Sequence, residues 1–268
     1  TSVNHSYADR GHYSVKSQAR CVVNHNVISE ESVKYVHIAT FFMDFDRNGS
    51  TDFSVWKKTD GEWRWVDSGD STEEYKRFGE TGSLDYIIVP GDYDGDKKTD
   101  VAVWNKTNGK TTSGEWKWTR SSDGVRITKK LGETGVKDWI PVSGDYDGDK
   151  KTDVAVWNKT TGEWKWIGSS DNLPHSFIWG NTGVTEWIPV PGDYDGDGTT
   201  DFCVWNRQSG NWYAKNADNQ TIHNNVPWGS NGAAYWIPVP GDYDGDLKAD
   251  LAVFNKSSGV WEVQKSNG

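Results

Sequence analysis

The sequence has little of what a helical, membrane-spanning or disulfide-bonded protein needs. Among 268 residues there are two cysteines, one methionine and eight prolines, and 34% of the residues are hydrophobic. Two cysteines cannot form the disulfide framework of a small scaffold. No apolar run approaches the roughly 18 residues of a membrane span, no signal peptide is visible, and helical periodicity is absent. We therefore expect short strands and no membrane span. Because the chain begins at Thr1 rather than Met, a processed or truncated product is expected.

Tryptophan, glycine and acidic residues are abundant. Seventeen tryptophans and 29 glycines predict an aromatic core and many tight turns. Of the 39 acidic residues, 19 lie in five short segments, which also hold six of the 29 Lys and Arg, so the rest of the chain has a formal charge of +3. The acidity is local, and because no basic stripe is present, nucleic acid is not an expected partner.

A ten-residue segment recurs along the chain. GDYDGDKKTD occupies 91–100 and again 144–153, close relatives occupy 192–201 and 241–250, and a fifth variant lies at 44–52. The first Asp of each copy is 48, 53, 48 and 49 residues from the next, and the long interval contains an inserted GKTTS at 109–113. A period of 40–50 residues is typical of solenoids and propellers.

Each unit is typical of one propeller blade. An apolar run precedes the acidic segment, and three further runs separated by turn residues follow it. Five units predict an all-β fold: a five-bladed β-propeller of four-stranded antiparallel blades. Since 27 residues from Asp242 onward are too few for a blade, we expect the N-terminal segment, within 12–28, to complete the last blade and close the ring. The predicted boundaries are a tail at 1–15 and one propeller over 16–268.

The acidic segments place oxygen-bearing side chains at alternate positions. Numbered from the first Asp, positions 1, 3, 5 and 9 carry side-chain oxygens, and position 7 is expected to offer its backbone carbonyl. Hard oxygen donors in this number suit Ca²⁺, whereas Zn²⁺ would favour His or Cys. The sequence predicts up to five structural calcium sites, in loops 44–52, 92–100, 145–153, 193–201 and 242–250; the alternative is a set of Asx turns without an ion. The predicted ligands are Asp44, Asp46, Asn48, Ser50, Asp52, Asp92, Asp94, Asp96, Lys98, Asp100, Asp145, Asp147, Asp149, Lys151, Asp153, Asp193, Asp195, Asp197, Thr199, Asp201, Asp242, Asp244, Asp246, Lys248 and Asp250.

These units resemble the FG-GAP/VCBS repeat family, which includes the propeller repeats of integrin α-subunits and propeller lectins. The resemblance covers nearly all of 35–265. It rests on the calcium motif D-x-[DN]-x-D-G-x-x-D and on an aromatic-Gly or Leu-Gly pair at 78–79, 131–132, 179–180 and 228–229. The sequence departs from the motif at loop position 6, where Gly is replaced by Lys97, Lys150 and Leu247. If that position needs a positive φ, each replacement costs roughly 1 kcal/mol.

The face opposite the acidic loops is expected to carry a partner. Aromatic rings stack on sugars, and the resemblance includes lectins with sites between blades. The predicted function is therefore multivalent carbohydrate binding, to a glycan or cell-surface glycoconjugate. The alternative for each ring is packing between blades. The candidate ligand-binding residues are Tyr86, Trp139, Trp179, Trp187, Trp228 and Trp236.

Binding rather than catalysis is predicted, because the sequence shows no recognisable nucleophile motif that breaks the repeat. The resemblance to secreted proteins implies a secreted, extracellular or cell-surface location. The alternative functions are a protein-binding adhesion module and the recognition domain of a larger secreted enzyme or toxin. Cys203 occupies a repeat position that holds Ser or Ala elsewhere, so a buried thiol is expected there, with a bridge to Cys21 as the alternative.

Overall fold

All regular structure in the described part of the chain is β-strand. The computed structural model describes residues 43–57, 60–78, 86–105, 113–133, 139–180, 186–229 and 236–267. Eighteen strands form five antiparallel sheets. Within these ranges no helix is long and apolar enough to cross a membrane.

The five sheets are the five predicted blades, arranged as a β-propeller. Neighbouring strands in each sheet are neighbours in sequence, as expected for a meander whose turns are short. The strands are β1 (Phe53–Lys57), β2 (Glu62–Val66) and β3 (Glu73–Arg77) in blade 1; β4 (Tyr86–Ile88), β5 (Val101–Asn105), β6 (Ser113–Thr119) and β7 (Arg126–Glu133) in blade 2; β8 (Trp139–Pro141), β9 (Val154–Asn158), β10 (Glu163–Ile167) and β11 (Pro174–Ile178) in blade 3; β12 (Trp187–Pro189), β13 (Phe202–Asn206), β14 (Asn211–Lys215) and β15 (Thr221–Pro227) in blade 4; β16 (Trp236–Pro238), β17 (Leu251–Asn255) and β18 (Val260–Gln264) in blade 5.

The prediction of four-stranded blades is confirmed for blades 2, 3 and 4. Blades 1 and 5 each have three strands among the described residues. The tail at 1–15, the closing strand expected within 12–28 and the first strand of blade 1 lie outside those residues. Ring closure by the N-terminal segment therefore stays a prediction.

The second strand is the most buried element of blades 2, 3 and 4. β5 and β9 share the sequence VAVWN and are buried along their whole length. Period-two alternation sends Val and Trp to opposite faces of the blade, and both faces pack against a neighbouring blade. A strand covered on both sides is expected to be continuously apolar.

One set of contacts builds each described interface between blades. Trp104 and Trp116 of blade 2 pack against Trp139 and Val156 of blade 3 in one buried cluster. Equivalent residues form the interfaces between blades 1 and 2, 3 and 4, and 4 and 5. The tryptophans that recur in the second strands lie at these interfaces: Trp104, Trp157 and Trp205 are each at most 1% exposed, while Trp56 and Phe254 are partly buried.

The pair ending in Gly, which follows the fourth strand, completes the interface. In blade 3, the indole nitrogens of Trp157 and Trp164 both donate to the Trp179 carbonyl, at 3.4 and 3.0 Å. Gly180 has a φ of 99°, and a Cβ there would lie 3.4 Å from Val204 Cγ1 of blade 4. This left-handed conformation favours glycine, which explains the second letter of the pair.

Two apolar faces remain uncovered by the described residues. Val55 of β1 is 61% exposed, whereas the valines at its position in the other four blades are at most 1% exposed. Tyr243, at position 2 of the fifth acidic loop, is 43% exposed, and its equivalents in blades 2, 3 and 4 are at most 7% exposed. One uncovered face belongs to blade 1 and the other to blade 5, the two ends of the row of blades.

Candidate functional site

Each acidic loop is folded by its own carboxylates. In blade 2 the loop joins β4 to β5, and a bridge between Gly91 and Asp100 closes it. Asp92 Oδ1 accepts a hydrogen bond from Gly95 N at 2.6 Å, and its Oδ2 accepts one from Lys97 N at 2.7 Å. Asp100 Oδ2 accepts from Tyr93 N at 3.0 Å. The same bonds recur in the other loops, so positions 1 and 9 fix the turn even without an ion.

The expected positive φ at loop position 6 is confirmed. Lys97, Lys150 and Leu247 have φ values of 70°, 68° and 70°, where the other two loops have glycine. Position 4 is left-handed as well, and there the first loop has Arg47 with a φ of 67°. Each such residue carries roughly 1–2 kcal/mol of backbone strain.

The carboxylates converge in all five loops. In each loop, three aspartates have carboxylate oxygens within 4.8 Å of one another. Positions 1 and 3 belong to every group, and the third member is position 9 in loops 1 and 3 and position 5 in loops 2, 4 and 5. Position 7 donates its backbone N–H to the side-chain oxygen of position 5, as from Lys98 to Asp96 at 2.8 Å. The groups are Asp44, Asp46 and Asp52; Asp92, Asp94 and Asp96; Asp145, Asp147 and Asp153; Asp193, Asp195 and Asp197; and Asp242, Asp244 and Asp246.

In four of the five blades, a serine outside the predicted ligand set contacts the acidic loop of its own blade. In blade 3, Ser169 N donates to Asp153 Oδ1 and Ser169 Oγ to Asp149 Oδ1, both at 2.7 Å. The serine lies in the turn after β10, so these bonds join the acidic loop to the turn between the third and fourth strands of the blade. We refer to such residues as clasp serines; they are Ser68, Ser121, Ser169 and Ser266.

A signal for the clasp serines was present in the sequence. Each follows position 9 of its loop by 16 residues, or by 21 in blade 2, where the five-residue insertion lies between them. A neighbouring residue often contacts position 3: Ser122 Oγ donates to Asp94 Oδ2 at 2.6 Å, and Asn267 Nδ2 to Asp244 Oδ2 at 2.7 Å. The acidic loops and these turns therefore share one face of the propeller.

Burial raises the pKa of the position-9 carboxyls in blades 2 to 5. The pKa is about 7 for Asp100, about 6 for Asp153 and about 8 for Asp201, with desolvation as the largest cause. Backbone N–H donors oppose the shift at each carboxyl, and neighbouring carboxylates of the same loop add to it. A cation in the loop would favour the ionised form and offset this cost.

The donor set fits a hard cation. Among the described residues, Asp201 Oδ1 and Asp244 Oδ1 are buried and have no hydrogen-bond partner. Leaving a buried polar atom unpaired costs about 1–3 kcal/mol, and more for a charged group. Oxygen-only ligands in a flexible loop are what Ca²⁺ prefers. The side chains at positions 1, 3, 5 and 9 would hold such an ion, with position 7 as a further predicted ligand.

The acidic loops also contact one another. Thr152 N, at position 8 of the third loop, donates to the Asp92 carbonyl at position 1 of the second loop, at 2.6 Å. The same bond joins each described pair of adjacent blades, at 2.6–2.7 Å. These four hydrogen bonds form a continuous chain, the rim, along the acidic face. Its members are Thr99 to Asp44, Thr152 to Asp92, Thr200 to Asp145 and Ala249 to Asp193.

Three of the six candidate sugar-stacking rings are not exposed. Tyr86, Trp139 and Trp236 are 1%, 5% and 6% exposed, so the expectation of open aromatic planes is wrong for these residues. Each lies at the start of a three-residue strand and packs between two blades. Lysines of the third strand cover two of them: Lys117 Nζ lies 5.9 Å from the Tyr86 ring centroid, and Lys165 Nζ 5.1 Å from that of Trp139.

The other three candidate rings are partly buried. Trp179 and Trp187 pack at the edge of the cluster between blades 3 and 4, and Lys215 Nζ lies 4.7 Å from the Trp179 ring centroid. Trp228 donates from its indole nitrogen to the Glu262 carbonyl of blade 5 at 3.3 Å. These three rings pack partly between blades, which was the alternative to sugar binding, and each keeps some exposed surface.

Comparison with known proteins bears on the repeat. Regucalcin from Agrobacterium tumefaciens, described as a calcium-binding protein, is a solved structure with 12% sequence identity and a TM-score of 0.40; the match covers 85% of this chain and 93% of that one. A likeness at this level carries no argument about function. Curated proteins yield no match to the chain.

A family model matches the repeats themselves. The FG-GAP-like repeat matches three times, over residues 92–156, 145–204 and 193–253. Each match begins at position 1 of an acidic loop and runs into the second strand of the next blade, so the matched unit contains two acidic loops and the strands between them. The three matches overlap and together cover more than half of the sequence, and the chain belongs to the FG-GAP-like repeat family.

Proposed function

We propose that the acidic loops bind Ca²⁺ and that the ion-loaded propeller is a secreted binding protein. The observation that carries the proposal is the convergence of three carboxylates within 4.8 Å in every loop. The buried, unpaired Oδ1 of Asp201 supports it, because a cation would satisfy that oxygen. Oxygen ligands alone favour Ca²⁺ over transition metals.

The ion would act mainly on stability. Each loop lies between the first and second strands of a blade, and in four blades a clasp serine joins it to the turn after the third strand. A cation held by the loop therefore strengthens a junction between the first two strands of the blade and the turn after the third. Because the ligands are held in the folded chain, ion binding adds to the free energy of unfolding.

Thermal unfolding with Ca²⁺ and with chelator tests this proposal. At a Ca²⁺ concentration 100 times Kd, one occupied site adds about 2.7 kcal/mol to the free energy of unfolding. For a chain of this size we expect a rise in the unfolding midpoint of about 5–10 °C per site. Mg²⁺ at the same concentration should raise it less, because Mg²⁺ needs a stricter octahedron. An equal midpoint in Ca²⁺ and chelator would contradict calcium binding.

The partner that we propose is a glycan bound on the face opposite the acidic loops. The partly exposed rings of Trp179, Trp187 and Trp228 support this proposal, because an aromatic ring with one free surface can stack on a sugar. Binding is favoured over catalysis. The one cysteine among the described residues, Cys203, is buried, and burial raises the pKa of its thiol, so it is a poor nucleophile.

A glycan array with calcium-loaded protein tests the partner. We expect binding to a restricted set of sugars, and we expect Trp187→Ala to lose at least about tenfold in affinity, the equivalent of one lost stacking contact. Val125→Ala, at an exposed turn residue of the acidic face, is the control. A blank array from folded, calcium-loaded protein would refute the glycan and favour a protein-binding adhesion module.

A further inference from the structure

The fourth acidic loop lacks a contact that the other four loops make. In blades 1, 2, 3 and 5, Oδ1 of the position-9 aspartate accepts a hydrogen bond from the backbone N–H of a clasp serine, at 2.6–2.7 Å. In blade 4 the residue 16 positions after Asp201 is Ala217, and no described residue donates to Asp201 Oδ1. Asp201 is nevertheless fully buried, at 0% exposure.

The hydroxyl contact of the clasp is missing from blade 4 as well. Ser121 Oγ donates to Asp96 Oδ2 at 2.8 Å, and Ser169 Oγ donates to Asp149 Oδ1 at 2.7 Å. The equivalent carboxylate of blade 4, Asp197, has its described bonds from Thr199 of its own loop. The contact that the turn of blade 4 does make with its loop is from Asn216 Nδ2 to Asp195 Oδ2, at 3.1 Å.

Ion affinity depends on how well the carboxylates are satisfied before the ion arrives. The free energy of binding is the difference between the loaded loop and the ion-free loop. A clasp serine stabilises the ion-free loop, because its N–H donates to an oxygen that a cation would otherwise satisfy. In blades 2, 3 and 5 its O–H donates to a second such oxygen, whereas in blade 1 Ser68 Oγ accepts from Asn48 Nδ2. The fourth loop lacks those donors at a carboxyl that is fully buried. The other unpaired oxygen, Asp244 Oδ1, belongs to a partly buried residue whose loop keeps its clasp serine. The ion-free fourth loop is therefore the least compensated of the five and gains most from a cation.

We propose that the fourth loop, in which the buried Asp201 Oδ1 has no donor, is the tightest Ca²⁺ site of the five. The ion there takes the role that a clasp serine has in the other blades. This inference rests on the proposed calcium binding. Gly198 at position 6 is compatible with it, since its φ of 87° carries no Cβ strain.

Calorimetric titration of metal-stripped protein with Ca²⁺ tests the proposal on matched variants. Wild-type protein should show one site tighter than the rest, by on the order of tenfold, the equivalent of one hydrogen bond to a carboxylate. Asp201→Asn should remove that tight site, whereas Asp153→Asn, the same change in a clasped loop, should remove one of the weaker sites. If Asp201→Asn or Asp153→Asn fails to fold, Asp195→Asn and Asp147→Asn repeat the comparison. These two variants change position 3 of the same loops, which is less buried than position 9.

Thermal unfolding of the same variants without metal provides a second readout. Asp201→Asn replaces a buried carboxyl whose Oδ1 has no donor, so its metal-free form should unfold no lower than wild type. Asp153→Asn weakens the bonds from Tyr146 and Ser169, so its metal-free form should unfold at a lower temperature. The opposite order of the two variants contradicts the inference.

The outcomes separate the inference from the function on which it rests. No Ca²⁺ heat and no shift in midpoint for wild-type protein would overturn calcium binding altogether. Five equivalent sites, or a tight site that survives in Asp201→Asn and is lost in Asp153→Asn, would leave calcium binding standing and overturn the inference about the fourth loop.

Discussion

Position 6 of the acidic loop has a left-handed backbone conformation that strains any residue other than glycine. Its φ lies between 68° and 87° in all five copies, a region that glycine enters without cost. Leu247 occupies it in the fifth loop and is 79% exposed. Since so exposed a leucine makes few packing contacts, the strain at this residue is not offset by buried apolar area.

We expect Leu247→Gly to raise the free energy of unfolding by about 0.5–1 kcal/mol, because relief of the left-handed strain exceeds the entropy that glycine adds to the unfolded chain. Denaturant unfolding in excess Ca²⁺ measures the change. Ser257→Gly is the matched control, since Ser257 is an exposed turn residue without a positive φ, and it should be destabilised. A loss of stability in Leu247→Gly comparable to the control would contradict the strain argument.

At the scale of the strand and the loop, the repeat made most of the fold predictable. The spacing of the acidic segments gave five blades, and the alternating runs gave the strands of blades 2 to 4. The burial of the aromatic residues at the start of the three-residue strands was harder to predict. Residues such as Trp139 precede a short apolar run, and a three-residue strand is too short for alternation to show which side is covered.

The candidate site was predictable to a similar degree. Alternating oxygens within nine residues identify the ligands, because they are local in sequence. The clasp serines are not local: Ser169 is 20 residues from the Asp149 carboxylate that it contacts. Single serines in turns are common, so the contact becomes recognisable once the blade has placed the two turns on the same face.

At the scale of the whole molecule, the rim predicts the contact that would close the ring. In every described pair of blades, position 8 of one loop donates to the position-1 carbonyl of the loop before it. Continued around five blades, the same rule pairs Thr51 N with the Asp242 carbonyl. It also brings Val55 against Phe254 and Trp261, the positions of Val156 and its tryptophan partners between blades 2 and 3.

Val55→Asp tests ring closure. In a closed ring Val55 is buried like its equivalents, and an unpaired charge there should lower the free energy of unfolding by about 3 kcal/mol or more. At the 61% exposure that the described residues leave it, the same change should be nearly neutral. Val125→Asp, at an exposed turn residue, serves as the control. Equal and small effects of the two substitutions would show that the ring is open.

The identity of β5 and β9 has a consequence for folding. Both are VAVWN, both follow GDYDGDKKTD, and both pair with a strand that reads EWKW where the two meet. During folding, either strand can therefore enter the place of the other, a shift of one whole blade that local contacts would scarcely oppose. Such a shifted chain leaves one blade unpaired, and unpaired strand edges promote aggregation. The correct assignment of strands to blades therefore depends on the residues that differ between blades 2 and 3, including the insertion in blade 2.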